Sequence, residues 1–336
     1  MGLAGRIAPK GTRRRTVAKE QAARFFAAMR RVEQRMLAEE YIAEENTKLR
    51  QSWAAITPDV LDTYLISGYQ NPRINAQSIL ARHYLIRQLF GDDFDALMKD
   101  ELAFCVEANE AIRVRAEQLG VTMGQFTAKA KRDAVAEVCQ VIADREDTYE
   151  RRWHEALADR TAPKLKVLEL ACGSANDYRY FDSYGLARFL DYTGIDLNDN
   201  NIDNARKRFP GVRFDQGSML DLPYESGSFD YVLAFDIFEH LSLQAMEHAI
   251  AEAVRVTRRG FLVAFFIMTS ALEHKEQPRG DYHWNVLSVH RIRELMEKSF
   301  TSVDLVEIKP YLASEFGFEH SYNRYAWSLF ADGRRR

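Results

Sequence analysis

The sequence predicts an α/β protein in which a doubly wound, mostly parallel sheet follows an all-helical amino-terminal part. Two observations predict this fold class. Residues 17–160 show helical patterns and no convincing strand, whereas residues 165–330 alternate short β-branched or aromatic runs with helical patterns. Such alternation is typical of parallel sheets that carry helices on both faces. The pattern changes near Pro163, which predicts a helical domain at 17–160, a second domain at 161–336 and a basic, disordered tail at 1–16.

Four segments of the amino-terminal part carry apolar residues at helical spacing. A long amphipathic helix is predicted at 17–51, and a second at 74–90, where it ends before Gly91, the residue type favoured just past a helix end. Two further helices are predicted at 94–118 and 125–158. The narrow apolar stripe of the first helix suits a partner helix, so we expect that a homodimer can form through the amino-terminal helices.

Beyond Pro163 the strand and helix patterns alternate. The strands are predicted at 164–170, 192–195, 212–214, 231–235, 261–267, 303–309 and 325–330. The helices between them are predicted at 177–188, 200–209, 243–257 and 288–298. Ligands of such sheets bind outside the carboxyl ends of the strands, where the strand order reverses. The residues that follow each strand are therefore the first candidates for a functional site.

Composition excludes several classes of protein. With 46% hydrophobic and 28% charged residues, the 336-residue chain is expected to fold. The longest apolar run, 261–268, is far short of the roughly 20 residues that cross a bilayer. No secretory-type segment follows the basic amino terminus, so we expect a cytoplasmic protein without a membrane span. The formal charge of −3 lacks the basic excess of a nucleic-acid-binding protein. The three cysteines lie far apart, which predicts neither disulfides nor a structural metal site.

Candidate ligand-binding residues follow the first two strands of the sheet. Gly173 comes shortly after Glu169, and a glycine lets the backbone approach a ligand closely. A dinucleotide-binding fingerprint needs three glycines, whereas Ala171 and Ala175 flank a single one here, so NAD is disfavoured. Asp196 ends the second strand, where a carboxylate can accept hydrogen bonds from both hydroxyls of a ribose. The alternative is that Asp196 caps the helix that follows.

The order of these motifs resembles that of the class I S-adenosylmethionine-dependent methyltransferases. The matching segments are the loop at 169–173, the acid at 196, and the runs GSMLDLP at 217–223, SFDYV at 228–232 and FEHL at 238–241. The resemblance covers about residues 164–330. It implies a Rossmann-like sheet of seven strands with an antiparallel last strand, methyltransferase activity, S-adenosyl-L-methionine as cofactor and S-adenosyl-L-homocysteine as product.

The resemblance also implies a set of cofactor-binding residues, which is Glu169, Gly173, Asn176, Asp196, Leu197, Ser218, Met219 and Asp236. Glu169 and Gly173 would hold the methionyl end of the cofactor, and Asp196 would bind its ribose. The Met219 backbone amide would bind the adenine edge. Leu197 would lie beside the adenine. Ser218 stands where the family usually has an aspartate that accepts from the adenine amino group, and a hydroxyl can accept that bond without a charge. Ala171 and Ala175 replace the outer glycines of the family's loop.

The implied reaction is an in-line displacement at a sulfonium methyl carbon, so the protein contributes mainly positioning. A hydroxyl or protonated amine acceptor also needs a base. The predicted catalytic residues are His240, Asp236 and His283, and Glu239 and His290 are further candidates for the base. Histidine has the side-chain pKa nearest neutrality. The alternative for His240 is a packing or capping role. No metal is predicted, because the spacing of the acids and histidine after the fourth strand matches no recognised ligand pattern.

The acceptor-binding candidates are Tyr69, Asn71, Arg73, Glu239 and Trp284. In class I enzymes, helices that precede the sheet often form a lid, so the polar stretch at 69–77 is expected to close over the active site. The alternative is that its side chains form interhelical caps and turns. Trp284, beside His283, is expected to form an acceptor wall or to be buried in a loop core.

The predicted partner is a small-molecule acceptor, with a hydroxyl of a sugar or secondary metabolite preferred. Two other functions stay open. One is methylation of a peptide or protein, for which the helical domain would be the docking module. The other is a non-catalytic nucleoside-binding protein of the same fold. No nucleic-acid partner is expected.

Overall fold

The computed structural model describes residues 42–44, 47, 74–120, 149–280, 282–318 and 322–335. The chain divides into two compact units, Met1–Lys48 and Leu49–Arg336. In the first unit the described residues are helical. The predicted tail at 1–16 and most of the predicted helix at 17–51 lie outside the described residues, as do residues 125–148 of the fourth predicted helix. The sheet and the helices that pack on it lie in the second unit.

Three helices of the second unit precede the sheet along the described chain. They are α1 (Ala76–Phe90), α2 (Asp95–Gln118) and α3 (Tyr149–Leu157). The Asn75 side chain accepts hydrogen bonds from the Gln77 and Ser78 backbone N–H groups and so caps the start of α1. Gly91 follows the end of α1 with φ 64°, and its N–H donates to the Arg87 carbonyl at 2.8 Å. The second and third predicted helices and the glycine stop are confirmed.

A seven-stranded sheet forms the centre of this unit, and four short strands lie outside it. The strands are β1 (Leu165–Leu170), β2 (Leu190–Asp196), β3 (Arg213–Gln216), β4 (Phe229–Phe235), β5 (Thr257–Phe265), β6 (Met268–Thr269), β7 (Pro278–Arg279), β8 (Tyr282–His283), β9 (Leu287–Ser288), β10 (Phe300–Glu307) and β11 (Trp327–Arg334). The large sheet has the order β10-β11-β5-β4-β1-β2-β3. Only β11 runs antiparallel to its neighbours. The predicted doubly wound sheet with an antiparallel last strand is confirmed.

The strand order reverses between β1 and β4. From β1 the chain continues to β2 and β3 on one side, and it then crosses to β4 on the other side. The helices that follow α3 are α4 (Asn176–Ser183), α5 (Asp199–Arg208), α6 (Leu243–Val256), α7 (Val289–Glu297) and α8 (Ile308–Phe316). The carboxyl ends of β1 and β4 therefore form the switch point at which sheets of this kind bind ligands.

Several elements were not predicted from the sequence. The short strands β6 to β9 have two residues each, which is too short to produce a visible alternation of apolar and polar residues. The predicted strand at 303–309 instead ends at Glu307, and α8 begins at Ile308. Pro310 is tolerated in α8 because it lies in the first turn, where backbone N–H groups have no partner within the helix.

The helices that precede the sheet share one apolar core with it. Both β1 and β4 are buried along nearly their whole length, as expected for central parallel strands covered on both faces. Leu85 of α1 and Trp153 of α3 belong to the same buried cluster as Val167 of β1 and Tyr231 of β4. The position of α1 over the sheet is therefore fixed by apolar packing.

A buried carboxylate joins the three helices of this part. Glu101 of α2 accepts hydrogen bonds from the Arg82 guanidinium at 2.5 Å, from His83 Nε2 at 2.6 Å and from Trp153 Nε1 at 2.7 Å. All four side chains are buried. Burial by itself raises the pKa of Glu101, but Arg82 and His83 lower it overall, so the carboxylate stays ionised. Arg82, His83 and Trp153 thus all bond to the same carboxylate.

We expect Glu101→Ala to lower the free energy of unfolding by about 3–5 kcal/mol, because it leaves the Arg82 charge buried without its counter-ion. Urea unfolding measures this change. Asp95→Ala is the matched control, since it removes the ion pair of Asp95 with Arg87, in which both side chains are about half exposed. That substitution should cost less than about 1 kcal/mol. Equal losses in the two variants would contradict a structural role for the buried pair.

Candidate functional site

Backbone strain is concentrated at the switch point. Among the described residues, three that are not glycine have positive φ: Ala171 at 51°, Ala175 at 64° and Asp236 at 49°. The first two follow β1 and the third follows β4. A left-handed conformation costs an L-residue about 1–2 kcal/mol, and such strain is typical of ligand-binding sites. The carboxyl ends of β1 and β4 are therefore the candidate site.

The loop after β1 has positive φ at alternate residues, Ala171, Gly173 and Ala175. These are the positions that the family's loop fills with glycine, so the two alanines keep the backbone conformation of that loop. A Cβ placed on Gly173 would meet no atom within 4 Å, which leaves the loop surface open at that residue. The loop is fixed to β2 by the Cys172 N–H, which donates to the Ile195 carbonyl at 3.1 Å.

Asp196 connects this loop to the end of β2 and the start of α5. Its Oδ2 accepts from the Gly173 N–H at 2.9 Å, and its Oδ1 accepts from the Asn198 N–H at 2.8 Å and from Asn201 Nδ2 at 3.2 Å. Burial raises the pKa of Asp196 although these donors lower it. A carboxylate has about four acceptor positions, so Oδ2 can accept one more hydrogen bond.

The N-cap of α5 is Asn198, whose side chain accepts from the Asn200 N–H at 2.9 Å. Asn198, and not Asp196, therefore caps this helix. Leu197, which lies between Asp196 and Asn198 in the sequence, is half-buried.

Two further carboxyl groups lie near this loop. Glu169 is 2% exposed, and its Oε2 accepts from the Tyr192 hydroxyl at 2.6 Å. Burial, followed by the negative charges of Asp177 and Asp196, raises the pKa of Glu169 well above its ordinary value. Burial also raises the pKa of Asp177 to about 6. Asp177 and Asp196 thus make the ionisation of Glu169 harder.

These residues fit S-adenosylmethionine, which carries a sulfonium and an ammonium group. The buried Oδ1 of Asn176 has no hydrogen-bond partner in the described part of the chain, so it is available to a ligand donor beside the open loop. At the positions where the resemblance implies adenine binding, Met219 is buried and the Ser218 hydroxyl oxygen accepts from the Leu220 N–H at 3.1 Å. An adenine amino group would share that oxygen with the backbone.

The start of α1 contacts the ends of β5 and β11, on the β4 side of the switch point, which the sequence did not predict in detail. Gln77 Nε2 donates to the Phe265 carbonyl at 3.1 Å and to the Trp327 carbonyl at 2.7 Å, and so ties α1 to the ends of β5 and β11. The Tyr322 hydroxyl donates to Asn75 Oδ1 at 3.1 Å. Burial raises the pKa of Tyr322 well above its ordinary value, and the negative charge of Asp236 makes a smaller contribution.

The polar run at 69–77 is the sequence signal that points to these contacts, because it contains both Asn75 and Gln77. The predicted acceptor residues of that run, Tyr69, Asn71 and Arg73, lie outside the described residues.

An aromatic cluster lies beyond β4. His240 Nδ1 is 3.3 Å from the His283 carbonyl oxygen, and the His240 ring centroid is 5.2 Å from that of Trp284 and 6.3 Å from that of Tyr282. Burial lowers the pKa of His240, which keeps the imidazole neutral near pH 7. The structure thus brings together His240 with the segment that carries His283 and Trp284. His290 is exposed on α7 and forms no hydrogen bond with this cluster among the described residues.

Glu239 joins the turn after β4 to the chain after β5. It is 3% exposed, and its Oε1 accepts from the Phe266 N–H at 2.5 Å and from the Ile267 N–H at 3.3 Å. Its own carbonyl accepts from the Asn285 N–H at 2.9 Å. Its Oε2 has no partner in the described part of the chain. Burial raises the pKa of Glu239 to about 7.

Comparisons with known proteins agree with this fold. Residues 167–260 match the model of the methyltransferase domain family. A probable S-adenosylmethionine-dependent methyltransferase of Mycolicibacterium smegmatis is 29% identical over 168 residues, 47% of this chain and 62% of that protein.

A fatty-acid O-methyltransferase of Mycolicibacterium smegmatis is 32% identical over 131 residues, 38% of this chain and 44% of that protein. A phthiotriol/phenolphthiotriol dimycocerosates methyltransferase of Mycobacterium tuberculosis is 36% identical over 122 residues, 32% of this chain and 42% of that protein. The chain thus spans about half the length of the curated relatives that it matches. The sheet order and the site define a class I methyltransferase fold. The family match assigns residues 167–260 to a methyltransferase domain of that fold.

We expect Ala171→Gly to raise the free energy of unfolding by about 0.5–1 kcal/mol, because glycine adopts positive φ without steric cost. Thermal or urea unfolding measures the change. Ala111→Gly is the matched control on the exposed side of α2, where the same change should lower the free energy of unfolding by about 0.5–1 kcal/mol. Losses of similar size in both variants would contradict strain at Ala171.

We expect Glu239→Gln to gain stability relative to the wild type as the pH rises from 5 to 8. Because the pKa of Glu239 is about 7 in the folded protein, folding favours its protonated form, and the wild type loses free energy of unfolding as the pH rises through this range. Glutamine does not titrate. Urea unfolding at several pH values measures the difference in free energy of unfolding between the variant and the wild type. Glu247→Gln on the exposed surface of α6 is the matched control. A flat difference for Glu239→Gln would show that this carboxyl does not titrate there.

Proposed function

We propose that this protein transfers the methyl group of S-adenosylmethionine to an oxygen atom of a small-molecule acceptor. The observation that carries the proposal is the Asp196 carboxylate, which accepts from Gly173 and keeps one acceptor position on Oδ2 at the switch point of the sheet. In this proposal Asp196 binds the ribose, and the strained loop after β1 lies against the methionyl part.

When bound, S-adenosylmethionine supplies a sulfonium methyl group that is already activated toward a nucleophile. The protein therefore has to orient the acceptor and, for a hydroxyl acceptor, receive its proton. The His283 carbonyl can only accept, so the His240 nitrogen that faces it, Nδ1, carries the hydrogen. The lone pair of the neutral ring is then on Nε2. His240 thus has the protonation state of a general base for a hydroxyl acceptor.

The acceptor that we favour has an apolar body and a reactive hydroxyl or carboxyl group. His240, Trp284 and Tyr282 form an aromatic surface next to the end of β4, and Phe266 packs against Trp284 with a centroid distance of 5.9 Å. Such a surface suits the apolar body of an acceptor. Two of the relatives are named for a fatty acid and for phthiotriol lipids, which supports the same choice. A secondary metabolite with an apolar body and a hydroxyl group also fits this proposal.

Two expectations about the whole protein stay predictions. No helix among the described residues is long and apolar enough to cross a membrane. The cytoplasmic location predicted from the sequence and the homodimer through the amino-terminal helices both await direct measurement.

Asp196→Ala should weaken the binding of S-adenosylhomocysteine by about a hundredfold or more, because it removes an ionised acceptor and releases the Gly173 loop. Calorimetric titration measures the affinity. Asp191→Ala is the matched control, since Asp191 is exposed at the opposite end of β2. Unchanged affinity in Asp196→Ala would mean that the cofactor does not bind at this strand end.

With a hydroxyl acceptor, His240→Gln should lower kcat by about a hundredfold or more while the affinity for S-adenosylhomocysteine stays unchanged, because only the proton transfer is lost. The assay transfers a labelled methyl group to a panel of fatty acids, lipid alcohols, phenols and sugars. His248→Gln on α6 is the control and should retain full activity. Cofactor binding without transfer to this panel or to any fraction of cell extract would favour the non-catalytic alternative.

A further inference from the structure

Asn285 is a buried asparagine that connects the turn after β4 to the segment between β5 and α7. It is 0% exposed. Its backbone N–H donates to the Glu239 carbonyl at 2.9 Å, and its Nδ2 donates to the Leu241 carbonyl at 2.7 Å. Its Oδ1 accepts from the Gln277 N–H at 2.9 Å. A buried amide bonded in this way orders the groups around it, because moving any of them would leave a buried polar atom without a partner.

The strands β7 and β8 form an antiparallel hairpin in this segment. Outside the two strands, Lys275 and Val286 exchange two backbone hydrogen bonds at 2.9 and 3.0 Å. We call the segment from Lys275 to Val286 the β7–β8 hairpin. These bonds are internal and fix the shape of the hairpin. The bonds of Asn285 to Glu239 and Leu241 instead fix its position against the turn after β4.

The β7–β8 hairpin also places a carbonyl oxygen beside the proposed base. His283 lies two residues before Asn285, and its carbonyl oxygen is 3.3 Å from His240 Nδ1. His240 itself lies between the two residues whose carbonyls accept from Asn285. In a neutral histidine, the hydrogen bond that one ring nitrogen makes decides which nitrogen carries the hydrogen. A displaced hairpin would therefore leave the position of that hydrogen unfixed.

We propose that Asn285 is a positioning residue that fixes the tautomer of His240. By holding the β7–β8 hairpin against the turn after β4, it keeps the His283 carbonyl opposite Nδ1, so that the hydrogen stays on Nδ1 and the lone pair on Nε2. Because it is fully buried, Asn285 acts through backbone groups and not by contact with the acceptor. The catalytic consequence rests on the proposed function, in which that lone pair receives the proton of a hydroxyl acceptor.

The tautomer of His240 can be measured without knowing the acceptor. In protein labelled with nitrogen-15 in the histidine rings, the nitrogen chemical shifts distinguish the Nδ1–H form from the Nε2–H form, and the spectrum of His240→Gln identifies the signals of His240. We expect the Nδ1–H form in the wild type near neutral pH, where burial keeps the ring neutral by lowering the pKa of His240. Asn285→Ala should give the Nε2–H form or a mixture of both forms.

Asn109→Ala is the matched control. Asn109 is also buried, and its Nδ2 donates to the backbone carbonyls of Ile74 and Cys105 at 3.0 and 2.8 Å. Its loss should leave the Nδ1–H form of His240 unchanged. Asn285→Asp, which keeps the acceptor oxygen and loses the donor, should release the tautomer as Asn285→Ala does. Thermal unfolding confirms that each variant is folded.

A double-mutant cycle tests whether Asn285 acts through His240. With a hydroxyl acceptor, Asn285→Ala should lower kcat about tenfold in the wild-type background, because the base is no longer held in the productive tautomer. In the His240→Gln background it should change kcat less than about twofold, since the proton transfer is already lost. The affinity for S-adenosylhomocysteine should stay unchanged in every variant.

Three results would overturn the proposal. An Nε2–H tautomer of His240 in the wild type would refute it whether or not the variants fold. An unchanged Nδ1–H signal in folded Asn285→Ala would show that the asparagine does not fix the ring. Equal losses of kcat in the two backgrounds would assign Asn285 a purely structural role. If His240→Gln alone leaves kcat unchanged, the proposed base is refuted instead, and the tautomer measurement still decides the role of Asn285.

Discussion

The Asp196 carboxylate is the interaction on which the candidate site depends. It sits at the end of β2 and accepts hydrogen bonds from the loop after β1 and from the first residues at α5. A buried carboxylate is stable in this position because each hydrogen bond offsets part of the free-energy cost of removing it from water. The same arrangement leaves acceptor capacity on Oδ2, so the group that orders the loop can also bind a ligand.

The strained residues around Asp196 are held by hydrogen bonds from their neighbours. The Cys172 N–H bonds to β2, and the Asp236 N–H donates to the Ala264 carbonyl of β5 at 3.0 Å. Each bond spans two strands, so the rigid sheet fixes the left-handed turns that follow β1 and β4. Alanine can replace glycine at 171 and 175 because these constraints, and not the residue type alone, set the backbone conformation.

The helical part contributes to the site through packing and through a few polar contacts. Leu85 and Trp153 belong to the core of the sheet, and the buried Glu101 joins α1, α2 and α3. This packing places Gln77 at the ends of β5 and β11 and Ser78 against α4. A helix that is rigidly packed can present side chains to a ligand with less entropy loss than a free loop.

The sequence by itself determined the alternation of strands and helices and the acids and glycine that follow β1 and β2, because hydrophobic periodicity and turn residues are local properties. The tertiary structure decided which distant residues meet. Ser78 contacts Asp177, and the His240 ring lies against Trp284, although no local pattern relates these pairs. It also decided the protonation of buried groups such as Glu239, since desolvation depends on the packing of several elements. Local residue order therefore predicted the class of protein, and only the packed chain defined the charge and contacts of its site.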